Sequence, residues 1–552
     1  MSSRTARAGT FRRRRAAAAL LAALLVPAFH EPIAAQGKKA PPAKKGAPAQ
    51  KASPTGSDPA LEKALLQQTA KVQGAHAKEL STIAGWASTS GLKEEAEKVI
   101  SIISRIDPQN AGLDKLRTRA AAAKPPDDAA KKEELLGQFQ KKLEAANEKN
   151  AQRLFDFAQK CMKVGLFTRA YDLVQAVIEA DPDHKKARDI LSYAWDPASK
   201  TWITKWELEQ RKKSTLTPEG WVKKENKKKW DQGLREYQGK WVTKEEEKRI
   251  RTRNNYNPYA VESEHFEVQT NLGREKALEF ANLLEDFYGQ FFRFYVGFYD
   301  QVAGAKLLFN QAKMKSKHKV FVFPSRDDYL TFVKSEKGND ELLRNSGGFW
   351  SPSDRKSFFY WTESTDETIY TLYHEVTHQL FGETKEGSGQ SKGNNWVVEG
   401  IASYMETWQK VNGKWKPGSR IDSDRLQVAK GLMDGFNLEA YIAIDHHEFH
   451  DKNRGANYAL GAALSHFLMH YQDGIYKEDY VRFISAYYGG KVHERSLGEY
   501  IEVEGISTPE ARLVELEKQL KDYMAKLGET AETAETPAGT TEDAPPAQGG
   551  DS

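Results

Sequence analysis

The sequence predicts an α+β domain in its C-terminal half, preceded by an α-helical repeat-like region and small tryptophan-containing modules. Three observations carry that expectation. In the first third of the chain, Gly-Leu, Ala and Asp-Pro recur at matched offsets. Farther on, Trp-Ile or Trp-Val recurs about every 20 residues. From residue 263 to 361, apolar runs of strand length alternate with an aromatic-rich amphipathic stretch, and mostly helical patterning follows.

Residues 1–36 read as a secretory signal. Arg12 to Arg15 are basic, Ala16 to Phe29 are apolar, and Ala34 and Ala35 supply small residues for cleavage. The alternative is an uncleaved anchor, but the 14-residue apolar run contains Pro27 and falls short of the about 20 residues a spanning helix needs. An exported location, in the periplasm, the cell envelope or outside the cell, is therefore expected, with no stable membrane span after cleavage. Residues 37–58, rich in Lys, Ala, Pro and Gly, read as a disordered linker, and the acidic residues 528–552 as a disordered tail. Cys161, the single cysteine, lies in an apolar helical pattern and is expected to be a buried small hydrophobe.

In residues 59–195, Gly91-Leu92, Ala96 and Asp107-Pro108 recur as Gly165-Leu166, Ala170 and Asp181-Pro182. Small residues let paired helices approach, and Asp-Pro ends the second helix. The pattern resembles tetratricopeptide-type repeats, which implies a surface for a protein partner; a plain helical bundle is the alternative. The stretch from Ala121 to Asn150 reads as a charged helix between the copies.

Residues 196–254 hold three modules marked by Trp202-Ile203, Trp221-Val222 and Trp241-Val242, each with its Trp expected as a core plug. Residues 200–254 carry 17 Lys and Arg against nine Asp and Glu. Such a surface either binds an anionic polymer or is a solvated charged face over buried tryptophans. The whole chain's net charge of +5 over 552 residues is too small to imply nucleic acid.

Residues 255–527 form the α+β domain. Strands are expected at His265–Gln269, Lys319–Phe323 and Ser357–Trp361, and a long helix from Lys276 to Phe298. A further helix holds H-E-V-T-H. Ser364 and Glu367 fit a capping box, Ile369, Leu372, Tyr373, Val376 and Leu380 form an apolar stripe, and Gly382 is expected to end it.

Two histidines four apart on a helix share one face, so His374 and His378 can reach one ion. Zinc then needs a third protein ligand and an open position. Glu399 is the best candidate. It lies 21 residues after His378, in a second apolar helix with Trp396, Val397, Ile401, Tyr404 and Met405, where an unpaired carboxylate is costly. Gly400 is expected to let this helix approach the H-E-V-T-H helix, and Ser403 or Glu406 to hold a ligand histidine.

H-E-x-x-H followed by Glu399 resembles the gluzincin branch of zinc peptidases, most closely over residues 366–410. The surrounding Trp-x-x-Glu-Gly-x-Ala-x-Tyr also resembles exported peptidase-like proteins with helical repeats upstream. The resemblance implies a zinc peptidase acting on a peptide or protein substrate, with His374, His378 and Glu399 as zinc ligands and Glu375 as general base. The metzincin pattern needs Gly and His where Phe381 and Thr384 stand. Asn457-Tyr458-Ala459-Leu460-Gly461-Ala462 resembles the segment carrying the catalytic Tyr of gluzincin aminopeptidases, which implies Tyr458 as oxyanion donor; His446, His447 and His450 compete for that role. Gly347-Gly348-Phe349-Trp350 lacks the Glu with which those aminopeptidases grip a free amine, so an endopeptidase is expected. The strand Ser357–Trp361 is expected to hold peptide by edge addition. The rivals are a degenerate peptidase-like scaffold and a cell-envelope binder.

Overall fold

The first helical pair turns at Gly91. Helix α1 (Pro59–Thr89) meets α2 (Lys93–Ile106) there, and Gly91 adopts a left-handed φ of +77° that a side chain disfavours. Helix α3 (Leu113–Ala121) packs on both. Helices α4 (Ala129–Lys163) and α5 (Phe167–Ala180) form a second pair. The repeated Asp residues do the same work in both copies: the Asp107 N–H returns to the Ile103 carbonyl, and that of Asp181 to the Val177 carbonyl. The charged stretch between the copies is not a separate helix; from Ala129 it is the first part of the 35-residue α4. The computed structural model describes residues 59–164, 166–252, 257–299, 316–337, 346–362, 365–384, 395–411 and 413–528. The expected signal, linker and acidic tail after residue 528, together with Gly165 and the cap at Ser364, lie outside the described residues. No described helix is long and apolar enough to cross a membrane.

The helical region does not have one core of its own. α1–α3 and the start of α4 enclose a cluster around Ile83, Val99, Ile103 and Leu116. Phe155, Tyr171 and Val174, from the end of α4 and from α5, instead share a cluster with Phe280, Leu372, Trp396 and Leu464 far along the chain. The expected boundary at residue 195 therefore cuts across continuous apolar packing. Cys161 lies in this cluster with no exposure, and burial pushes its thiol up to about 11.

The tryptophan modules are three β-hairpins, each followed by a short helix. They pair β1 (Tyr193–Asp196) with β2 (Thr201–Thr204), β3 (Ser214–Thr217) with β4 (Gly220–Lys223), and β5 (Leu234–Tyr237) with β6 (Lys240–Thr243). The tryptophans are not the plugs. Trp202, Trp221 and Trp241 are half-buried, while the next residues Ile203 and Val222 are buried. Successive strand side chains face opposite ways, so only one of each Trp-aliphatic pair can point inward.

A five-stranded sheet follows, in the order β10-β11-β9-β8-β7, from β7 (Tyr259–Glu262), β8 (Phe266–Thr270), β9 (His318–Phe323), β10 (Gly348–Ser351) and β11 (Lys356–Tyr360). β8, β9 and β11 run parallel, and β7 and β10 flank them antiparallel. The strand expected to add peptide at its edge is thus interior: β11 is paired on both sides, and the edge strand is β10. Helix α6 (Arg274–Phe294) packs on β7 and β8 and ends at Phe294, short of the expected Phe298; a separate one-turn helix, Val296–Tyr299, follows.

The remaining layer is helical: α7 (Thr365–Thr384), α8 (Trp396–Met405), α9 (Asp424–Leu432), α10 (Arg454–His470), α11 (Lys477–Tyr488) and α12 (Pro509–Lys526). Gly382 does not end α7, which runs on to Thr384; its missing side chain makes room for the Trp350 ring, which a Cβ would overlap. Gly400 does not serve the approach to α7 either. A Cβ there would lie 2.6 Å from the Gly461 carbonyl, so Gly400 and Gly461 let α8 and α10 cross at backbone distance.

Candidate metal centre

α7 is held from both sides. Leu372, Val376 and Leu380 are fully buried, and each such side chain contributes about 1.5–3 kcal/mol. Gln379 bonds the Ser357 hydroxyl at 2.9 Å and the Lys319 carbonyl at 3.1 Å, fixing the helix to β11 and β9. Those anchors support the cost of leaving His374, Glu375 and His378 only partly hydrated on the neighbouring face.

α8 brings Glu399 to that face. Trp396, Val397, Ile401, Tyr404 and Met405 are fully buried, which sets the helix rotation. The structure brings His374, His378 and Glu399 together, their ligand atoms within 4.8 Å of one another. His374 Nε2 lies 3.4 Å from Glu399 Oε2, and His378 Nε2 lies 3.5 Å from the same oxygen. Bonds of about 2.0–2.1 Å at a tetrahedral angle separate neighbouring ligand atoms by about 3.4 Å. Two imidazoles and a carboxylate at this spacing fit a metal ion.

Glu406 orients one of the two imidazoles. Its Oε1 lies 2.7 Å from His374 Nδ1, which leaves Nε2 facing Glu399. Its Oε2 faces Arg425 Nε at 3.4 Å. Ser403, the other candidate for that task, bonds to neither histidine; its hydroxyl is buried without a partner among the described residues.

The charges of the centre support one another. Burial opposes charge on His374, but bonds to Glu399 and Glu406 and the negative charges of Glu406 and Glu375 hold it up at about 10. Burial likewise opposes charge on Glu399, yet the His378 charge and bonds from both histidines hold it well below the carboxylate range. Glu375 differs. Burial pushes its carboxyl up against the pull of both histidines, and it accepts a hydrogen bond from the backbone of Trp350 on the edge strand β10.

Tyr458, on α10, stands against this group. Its ring is parallel to that of His374 within 3°, with centres 6.4 Å apart. Burial and the Glu399 charge keep the phenol protonated, and it bonds to both Glu399 and Arg454. Among its three rivals, only His450 approaches. His446 and His447 are exposed, whereas His450 is half-buried, bonds Asn395 at 3.2 Å and has its pKa lowered by burial while feeling the Glu399 charge.

Arg425 and Arg454 were not foreseen. Their guanidinium carbons lie 5.5 and 5.3 Å from the centre of the Tyr458 ring. Arg454 carried a signal, since it precedes Tyr458 by one helical turn. Arg425 carried none, because α9 reaches the centre only through tertiary packing.

Over residues 368–487, which include every residue of this cluster, the chain is similar to a family described as a protein of unknown function (DUF1570). No curated protein and no solved structure matches the chain.

Proposed function

We propose that the chain is an exported zinc-dependent endopeptidase of gluzincin type, with His374, His378 and Glu399 as metal ligands. The observation that carries this reading is the pair of 3.4 and 3.5 Å separations from the two histidines to one Glu399 oxygen, both the length of a tetrahedral edge. A bound zinc ion would supply Lewis-acid polarisation of the scissile carbonyl.

The chain's own residues supply the proton chemistry. Glu375 Oε takes the proton of the attacking water and passes it to the leaving amine; its raised pKa suits a group that must do both. The Tyr458 hydroxyl, held protonated, donates to the oxyanion, with His450 beside it. Edge strand β10 is tied to Glu375 through the Trp350 backbone, so a peptide laid along that edge runs past the base.

Metal analysis of the purified chain, paired with a peptide-library cleavage assay, tests the scheme. About one zinc per chain and cleavage by the native protein are expected. Glu375→Gln should retain zinc and lose about 10²–10⁴-fold in rate. Full activity in that variant would sink the mechanism. Stoichiometric zinc without cleavage of any peptide would instead assign the chain to a degenerate, scaffold-like role.

A further inference from the structure

Arg454 is a cation beside the candidate centre with no carboxylate partner among the described residues. It stands in the first turn of α10, half-buried, with its guanidinium over Tyr458 and bonded to it. Arg425, the other guanidinium near Tyr458, is already engaged by Glu406. Glu406 in turn is shared between Arg425 and His374 and makes no ion pair with Arg454.

The charge balance points the same way. With a divalent ion between the histidines, Glu375, Glu399 and Glu406 provide three negative charges against four positive ones from the ion, Arg425 and Arg454. Among these groups one positive charge is in excess, in a partly dehydrated place where electrostatic interactions are strengthened. A guanidinium matches a carboxylate with two parallel hydrogen bonds.

We infer that Arg454 is a specificity-determining residue which takes a carboxylate of the substrate, so that the centre prefers peptides bearing an acidic side chain or a free C-terminal carboxylate next to the cleaved bond. This rests on the metallopeptidase reading above and adds a substrate class to it. The competing role, in which Arg454 only positions Tyr458, would affect all substrates alike.

Three peptide hydroxamates built on one scaffold separate these cases: a neutral C-terminal amide, the same compound with a free C-terminal carboxylate, and the amide with a glutamate side chain. Calorimetric titration of the zinc-loaded full chain, after metal content is measured, reads their affinities without requiring turnover. A charge-assisted bond of about 1.5 kcal/mol makes at least one acidic compound bind about tenfold more tightly than the neutral one. Whether the C-terminal or the side-chain acid gains more identifies the source of the carboxylate. In Arg454→Gln the preference should drop below about twofold, whatever loss the three compounds share, and Arg454→Lys should keep part of it. Equal affinities in the native protein, or equal losses for all three compounds in Arg454→Gln, would overturn the inference and leave the metallopeptidase reading intact. A chain that takes up no zinc overturns both.

Discussion

Two histidine pairs in this chain share one spacing and differ in everything around it. His374 and His378 lie on α7, His466 and His470 on α10; both pairs are four residues apart, with ring centres 4.8 and 4.7 Å apart. The first pair faces Glu399 and Glu406. The second bonds only neutral groups among the described residues: His466 lies 2.8 Å from the Gly418 carbonyl and 2.7 Å from the Tyr523 hydroxyl, and His470 lies 2.8 Å from the Tyr404 hydroxyl. Burial then has opposite outcomes. Carboxylates hold His374 charged in the absence of metal, whereas His466 is pushed down to about 4 and His470 well below the usual imidazole range. Spacing lets two imidazoles reach one point; the charge around that point decides whether a cation can rest there. The second pair pins α10 to α8, α12 and the Gly418 turn instead.

The sharpest break in this comparison removes the carboxylate both α7 histidines share. Glu399→Ala should weaken zinc binding by more than the about 10–100-fold typical of an outer partner, since a direct ligand is lost. Competition with a chromogenic chelator measures it, and unchanged affinity would remove Glu399 from the ligand set. Next in size, Glu406→Gln keeps the shape but loses the charge on His374 Nδ1, and about 10–100-fold in affinity should go with it. His466→Gln is the control for both: zinc uptake should stay native, and a comparable loss there would erase the distinction between the two pairs.

How much of this could be read from the chain follows from which contacts are local. α7 and α8 were legible because their apolar stripes repeat at helical spacing and a carboxylate amid Trp396, Val397 and Ile401 demands a partner. Glu406 was visible as one of two choices within α8's extension, and packing chose between them. What stayed hidden depends on contacts distant in sequence. Gly400 was assigned to the nearer helix, but its neighbour is Gly461. The sheet edge was placed on β11 because strand order is set by pairing, and β9 and β10 take its two sides. The tryptophan modules were found by their repeat, yet the pleat turned Ile203 and Val222 inward instead. The sequence places the second helical pair in a region of its own, and no local pattern shows that Phe155 and Tyr171 share an apolar cluster with Trp396.

The smallest expected effect is also the one that sets the two pairs most directly against each other, because their linkage signs are opposite. An unfolded histidine titrates near 6.5. His466 has a folded pKa of about 4, so between pH 6.5 and 4 the unfolded chain binds the extra proton, and stability falls as pH drops through that window. His374 in the metal-free chain has a folded pKa of about 10, so its contribution is fully present below pH 6.5 and is lost as pH rises toward 10. One proton of difference changes stability by at most about 1.4 kcal/mol per pH unit. Urea unfolding in a chelating buffer from pH 5 to 9 should therefore show His466→Gln flattening the acid limb and His374→Gln flattening the alkaline limb. Adding zinc should remove the alkaline loss in the native chain, because a ligating imidazole is already neutral, and should widen its gap to His374→Gln, which lacks a ligand; the His466 effect should stay in place. If both substitutions flattened the same limb, the surroundings of the two pairs would not differ in charge as their contacts imply.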